Sequence, residues 1–220
     1  MINKVNIQEF EDFCKNKNIL LVGNSVNLVK QDNSELIDSY DIVVRFGWAL
    51  EPPLIVKEVI GTKLDVWVAG IAACIRYSRM WGHKGIHKIL NDKIVLFNRS
   101  RQRYSETETY NYLNPVEEHA LSMFTDKEIQ DTCSKYSIDI KATRISAGIW
   151  TVLFFIDKIK EYNSLDLIGF DSFTSKNVAS TSGFCHSWHG NGLRRPTHDG
   201  DFEAKLLKEA VQMGLINKIY

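Results

Sequence analysis

Apolar residues occur in this chain as short runs divided by polar stretches, and the spacing changes from run to run. Residues 7 to 16 carry apolar positions at helical spacing and predict a short first helix. Ile19 to Val22 then forms an unbroken apolar run of strand length. "YDIVVRF", "KLDVWVAG" and "KIVLFN" (Lys93 to Asn98) repeat that pattern with β-branched residues, so each predicts a buried strand. Helical periodicity returns in "EEHALSMFTDKEIQDTCSKY" and in "AGIWTVLFFIDKIKEYN", the most apolar helix of the chain. The latter leads into "SLDLIGFDSF", a strand that ends at Gly169 and Asp171. Strands alternating with helices predict an α/β class fold: a single Rossmann-like domain over residues 1–220, with a mostly parallel sheet flanked by helices.

Two stretches break the rhythm. "SRQRYSETETYNYLNP" is polar and reads as a loop with helical fragments; its arginines, Arg99, Arg101 and Arg103, suit a solvated face better than an acceptor contact. From Thr174 to Asp201 the composition turns to Gly, Ser, His and Asn. A structureless loop longer than about 15 residues inside a domain is usually a functional lid or a disordered segment. Residues 172–201 are therefore expected to be a mobile lid, with Gly183, Gly190 and Gly192 as hinges. The closing helix, "FEAKLLKEAVQMGL", is expected to pack on the sheet through Phe202, Leu206, Ala210 and Val211.

Composition narrows the field of partners. The chain has 220 residues and a formal net charge of zero, so general attraction to nucleic acid is not expected. No apolar run reaches the roughly 20 residues of a membrane span, which leaves room only for peripheral membrane contact. The first 18 residues are polar and include acids, unlike a secretory leader. Cys14, Cys74, Cys133 and Cys185 are scattered and predict free thiols, and a cytoplasmic location follows as an expectation.

Four segments carry chemistry. The first, "VGNSVN", follows a strand. A helix starting near Asn24 or Ser25 would aim backbone N–H groups at an anion, while the Asn24 and Asn27 amides would suit a phosphate, a ribose or a pyrimidine edge. One glycine, Gly23, stands where a dinucleotide loop has three, and an Asn-Ser helix cap explains the same residues. The second pairs Asp41 and Arg45 with Gly61 and Thr62 at strand ends, as an ion pair or as ligand contacts. The third is "RISAGIW", where Ser146, Ala147 and Gly148 open an apolar helix and either bind an anion or simply cap it. The fourth, "HSWHGNGLRRPTHDGDFE", holds His186 and His198, which titrate near neutrality.

These segments, in this order, resemble the motifs of the sialyltransferases, glycosyltransferase family 29. The large motif, V-G-N-S-x-N through D-x-V-x-R to a V-G-x-x-T-like end, is similar to Val22–Asn27, Asp41–Arg45 and Ile60–Thr62. The small motif, P-S-T-G followed by a helix and a strand ending in G-F, is similar to Ile145–Gly148 and Gly169-Phe170. His186-Ser187-Trp188 resembles the H-Y-aromatic motif, and His198 with Glu203 resembles H-x4-E. "RISAGIW…GFDSF" also resembles the bacterial sialyltransferases of family 42.

The resemblance implies a GT-A-like sialyltransferase fold and an inverting, metal-independent glycosyltransferase. It would move sialic acid, or a related ketose such as Kdo, from a CMP-sugar to a hydroxyl of a glycan or glycolipid. No cofactor is implied, because the CMP-sugar is itself a substrate. His198 is implied as the base and His186 as donor to the departing phosphate. Donor binding falls to Gly23, Asn24, Ser25, Asn27, Arg45, Ser146, Ala147, Gly148, Gly169, Asp171 and Trp188. Three departures stand out: Gly47 where the family has Asn, and Ile145 and Ala147 for Pro and Thr. Two competing readings remain, a non-catalytic nucleotide-binding module and a metal-dependent transferase using Asp199 and Asp201. A metal site from Cys185, His186, His189 and His198 matches no common zinc spacing.

Overall fold

A computed structural model describes residues 5–47, 58–70, 73–74, 77, 80, 90, 92–98, 120–139, 145–170 and 199–220. Among these residues, seven strands form one sheet: β1 (Asn18–Val22), β2 (Ile42–Phe46), β3 (Val66–Gly70), β4 (Ile94–Asn98), β5 (Leu121–Ser122), β6 (Ser164–Ile168) and β7 (Lys218–Ile219). All six pairings are parallel and the order is β5-β4-β3-β2-β1-β6-β7. The chain thus steps outward from β1 to β5, then returns to the other side of β1 for β6. Where strand order reverses in such a sheet, a crevice opens beyond the carboxyl ends. Here the strand order reverses between β1 and β6, whose register pairs Val22 with Ile168.

Both faces of the sheet are covered, which is why its strands are apolar runs rather than alternating ones. Helices α1 (Ile7–Cys14), α4 (Ala147–Lys158) and α5 (Gly200–Gln212) contribute to one core with Ile19, Leu21, Val44, Phe46, Leu165 and Leu167. The other face has its own core. Leu20, Val22, Val43 and Ile168 pack there against Leu28, Ile37 and Ile60, beside α2 (Ser34–Asp38). Helix α4 is buried at every position from Ile149 to Phe155, as its composition predicts. No described helix is long and apolar enough to cross a membrane.

Three details differ from the sequence reading. The periodic stretch "EEHALSMF…" is not one helix: Leu121–Ser122 is edge strand β5, and α3 (Asp126–Lys135) starts at a Thr125/Glu128 capping box. In α5 the buried positions are Glu203, Leu206, Leu207 and Ala210, while Val211 is exposed. The expected helix at Asn24 or Ser25 is a single 3-10 turn, Val26–Val29.

Candidate active site

The ends of β1 and β6 are fastened to each other beyond the last strand pair. Gly23 N–H donates to the Ile168 carbonyl at 2.8 Å and Ser25 N–H to the Gly169 carbonyl at 3.2 Å. Gly169 is left-handed (φ +73°), and a Cβ on Gly23 would lie 2.3 Å from the Gly169 oxygen, so both positions require glycine.

The start of α4 closes on the same point through one aromatic ring. A Cβ on Gly148 would meet Phe170 Cε1 at 2.8 Å, and one on Gly23 would meet Phe170 Cδ2 at 3.1 Å. The Phe46 ring packs edge-on to Phe170 at 5.8 Å. Gly23, Gly148, Gly169 and Phe170 are therefore one constellation, assembled from three segments far apart in sequence.

The opening turn engages several of its own amides. Ser25 is buried, and its hydroxyl accepts from Asn27 N–H at 3.1 Å. Leu28 N–H donates to Ser25 O at 3.2 Å, so these two donors are used within the turn, and the Asn27 side chain faces solvent. What the turn does present is Asn24 Oδ1, a buried acceptor that receives no hydrogen bond among the described residues. Buried polar atoms are nearly always bonded in native proteins, so such an exception calls for an explanation. A ligand donor is one.

Ser146 is the N-cap of α4, and its hydroxyl accepts from Ile149 N–H at 3.3 Å while donating to Glu203 Oε2 at 3.1 Å. Ser146 N–H donates to Glu203 Oε1 at 2.6 Å. The anion at the Ser146 hydroxyl is thus supplied by the chain itself, from a carboxylate only 3 % exposed. The N–H groups of Ala147 and Gly148, in the first turn of α4, donate to nothing among the described residues.

Arg45, the penultimate residue of β2, lies beside Val22 and is 1 % exposed. Its Nε donates to Lys63 O at 2.8 Å and its Nη2 to Ile60 O at 2.7 Å, whereas Nη1 has no partner among the described residues. Burial pulls the guanidinium down to about 10, against the opposing influence of the Asp38 and Asp65 carboxylates. It is not paired with Asp41. That carboxylate stands at the opposite end of β2, accepting from Asn18 N–H at 2.8 Å. Gly61 (φ +68°) and Thr62 serve the same loop: Thr62 and Lys63 N–H both donate to Asp38.

No family model matches this sequence. No curated protein matches it by sequence either. The architecture does have counterparts. The sialyltransferase CstII from Campylobacter jejuni, in complex with the substrate analogue CMP-3FNeuAc, superposes with a TM-score of 0.60 at 15 % identity, covering 93 % of this chain and 81 % of that one. The chain has the sialyltransferase fold. The monofunctional alpha-2,3-sialyltransferase Cst-I from the same organism gives a TM-score of 0.61 at 15 % identity, covering 93 % of this chain and 75 % of that one. A mammalian sialyltransferase gives 0.53 at 17 % identity, with 93 % and 69 % covered. On this sialyltransferase fold, the structure brings together Gly23, Asn24, Ser25, Ser146, Ala147, Gly148 and Gly169, and sets Arg45 into a neighbouring loop. Asp171, His186, Trp188 and His198 lie outside the described residues. Glu203, read in the sequence only as part of H-x4-E, emerges as a residue of this constellation. Its five-residue spacing from His198 was the available signal; its partner, 57 residues away, was not.

Proposed function

We propose that this protein is an inverting, metal-independent transferase that moves sialic acid, or a related ketose such as Kdo, from a CMP-sugar to a glycan or glycolipid hydroxyl. The observation that carries this reading is the unpartnered, buried Asn24 Oδ1 in the turn after β1, on a sialyltransferase fold. An amide oxygen accepts, so it suits a ribose hydroxyl or the exocyclic amine of cytosine. The N–H groups of Ala147 and Gly148, at the positive end of α4, suit the single phosphate.

In the reaction, the acceptor oxygen forms its bond at the anomeric carbon as the bond to the CMP phosphate breaks. His198 takes the hydroxyl proton and His186 donates a hydrogen bond to the departing phosphate.

The metal-dependent alternative loses ground on one observation. Asp199 is the N-cap of α5, its Oδ1 accepting from Phe202 N–H at 3.1 Å, so Asp199-Gly200-Asp201 opens a helix instead of ending a strand. Incubating the protein with each CMP-sugar and measuring CMP release, with and without a chelator, tests the reading. Release is expected to survive chelation and to fall about 10²–10⁴-fold in His198→Ala. Tight CMP binding with no release from any donor would instead identify a binding module.

A further inference from the structure

Glu203 is a buried carboxylate that joins the first turns of two helices. Oε1 accepts Ser146 N–H at 2.6 Å and Oε2 accepts Ser146 Oγ–H at 3.1 Å, across 57 residues of sequence. Burying a charged group is unfavourable unless it is paired or hydrogen-bonded, and here both oxygens are engaged. The carboxylate also lies in the first turn of α5 and touches the N-cap of α4, where helix dipoles favour negative charge.

The first turn of α5 is bonded to its own N-cap. Glu203 N–H donates to Asp199 O at 3.1 Å, and Phe202 N–H donates to Asp199 Oδ1 at 3.1 Å. His198 is the residue immediately before Asp199 in the sequence. At the other end of the link, Ser146 caps the helix whose Gly148 packs on Phe170, between β1 and β6.

We propose that Glu203 is a positioning residue for transfer: its carboxylate locks the start of α5, and with it the chain position next to His198, to the Ser146 turn at the crevice. This rests on the reading of His198 as the base. Packing alone does not account for it. A buried ionic group can often be replaced by an apolar side chain of similar volume with little loss of stability. An apolar residue would fill the space, yet it would give the two helix ends no directional bonds. Misplacing a reacting group by about 1 Å can lower the rate about 10²-fold.

The test compares Glu203→Leu, which keeps volume, with Glu203→Gln, whose amide oxygen can still accept from Ser146 N–H. For each variant, kcat and donor KM are measured by CMP release, CMP affinity by calorimetry, and amide exchange over residues 145–148 and 199–203 by mass spectrometry. Glu203→Leu is expected to bind CMP within about threefold of wild type, lose about 10- to 100-fold in kcat, and exchange faster in both segments. Glu203→Gln is expected to recover most of kcat and protection. Should Glu203→Leu fail to fold, Glu203→Asp, one methylene shorter, makes the same comparison. A Leu variant with wild-type kcat or unchanged exchange overturns the proposal, as does a loss of CMP affinity in step with kcat. Wild-type protein that consumes no CMP-sugar sinks the transferase reading instead, and the exchange comparison still decides the lock.

Discussion

Gly23 and Gly169 face each other at the ends of neighbouring parallel strands, so closely that a methyl group on Gly23 would lie 2.3 Å from the Gly169 carbonyl oxygen. Neither backbone can retreat, because Gly23 N–H and Ser25 N–H tie the two ends together. Gly23→Ala is therefore expected to destabilise the protein by about 3 kcal/mol or more, the upper range for overpacking in a close-packed interior. Urea unfolding measures it, and an unchanged midpoint would contradict the geometry described.

Asn24→Ala separates binding from folding. Its Oδ1 is buried without a partner among the described residues, so removing it leaves no protein group stranded. Stability is expected to stay within about 0.5 kcal/mol of wild type, while CMP affinity falls about 10-fold, the equivalent of one good hydrogen bond. Calorimetric titration with CMP, beside thermal unfolding of the free protein, gives both numbers. A large stability loss with unaltered affinity would remove Asn24 from the binding site.

Gly47 offers a gain rather than a loss. Its φ of +48° is left-handed, a region that Asn tolerates better than most residues, and the nearest atom to a Cβ there is Ala73 Cβ at 4.0 Å. Gly47→Asn is expected to cost less than about 1 kcal/mol and to tighten CMP binding a few-fold by supplying an amide at the end of β2. Gly47→Ala is the control, since it carries the backbone strain without the amide. Equal affinities in the two variants would show that this position does not reach the nucleotide.

Cys14 makes stability depend on alkaline pH. Burial first, and nearby Glu11 second, push its thiol up from 9.0 to about 12. Because the folded value is the higher one, the stabilisation is fully present below pH 9. It is lost as pH rises toward 12, where the unfolded thiol has already given up its proton. The slope is about 1.4 kcal/mol per pH unit in that window. Denaturant unfolding between pH 8 and about 10.5 should show a shallower decline for Cys14→Ala than for wild type. Identical slopes would refute the assignment.

The sheet was readable in outline because buried parallel strands are uninterrupted apolar runs: β1, β2, β3, β4 and β6 each contain one. Strands β5 and β7 were not, since two residues at a sheet edge carry no period. The glycines of the crevice were legible through their motifs. The partners of the Ser146 hydroxyl and of Arg45 were not legible for one reason: each looks available in sequence, and each meets its partner only through the fold. Ser146 finds Glu203, and Arg45 finds the carbonyls of Ile60 and Lys63. Proximity between distant segments leaves no trace in local pattern.

The return of the chain from β5 to β6 has a consequence for biosynthesis. One wall of the crevice, β1, leaves the ribosome well before its counterpart, β6. The non-local pairing of β1 with β6 therefore makes closure a slow, late event. Until then β1 shows an unprotected edge, and chaperone capture of nascent chains should cease once Ile168 has been threaded into place.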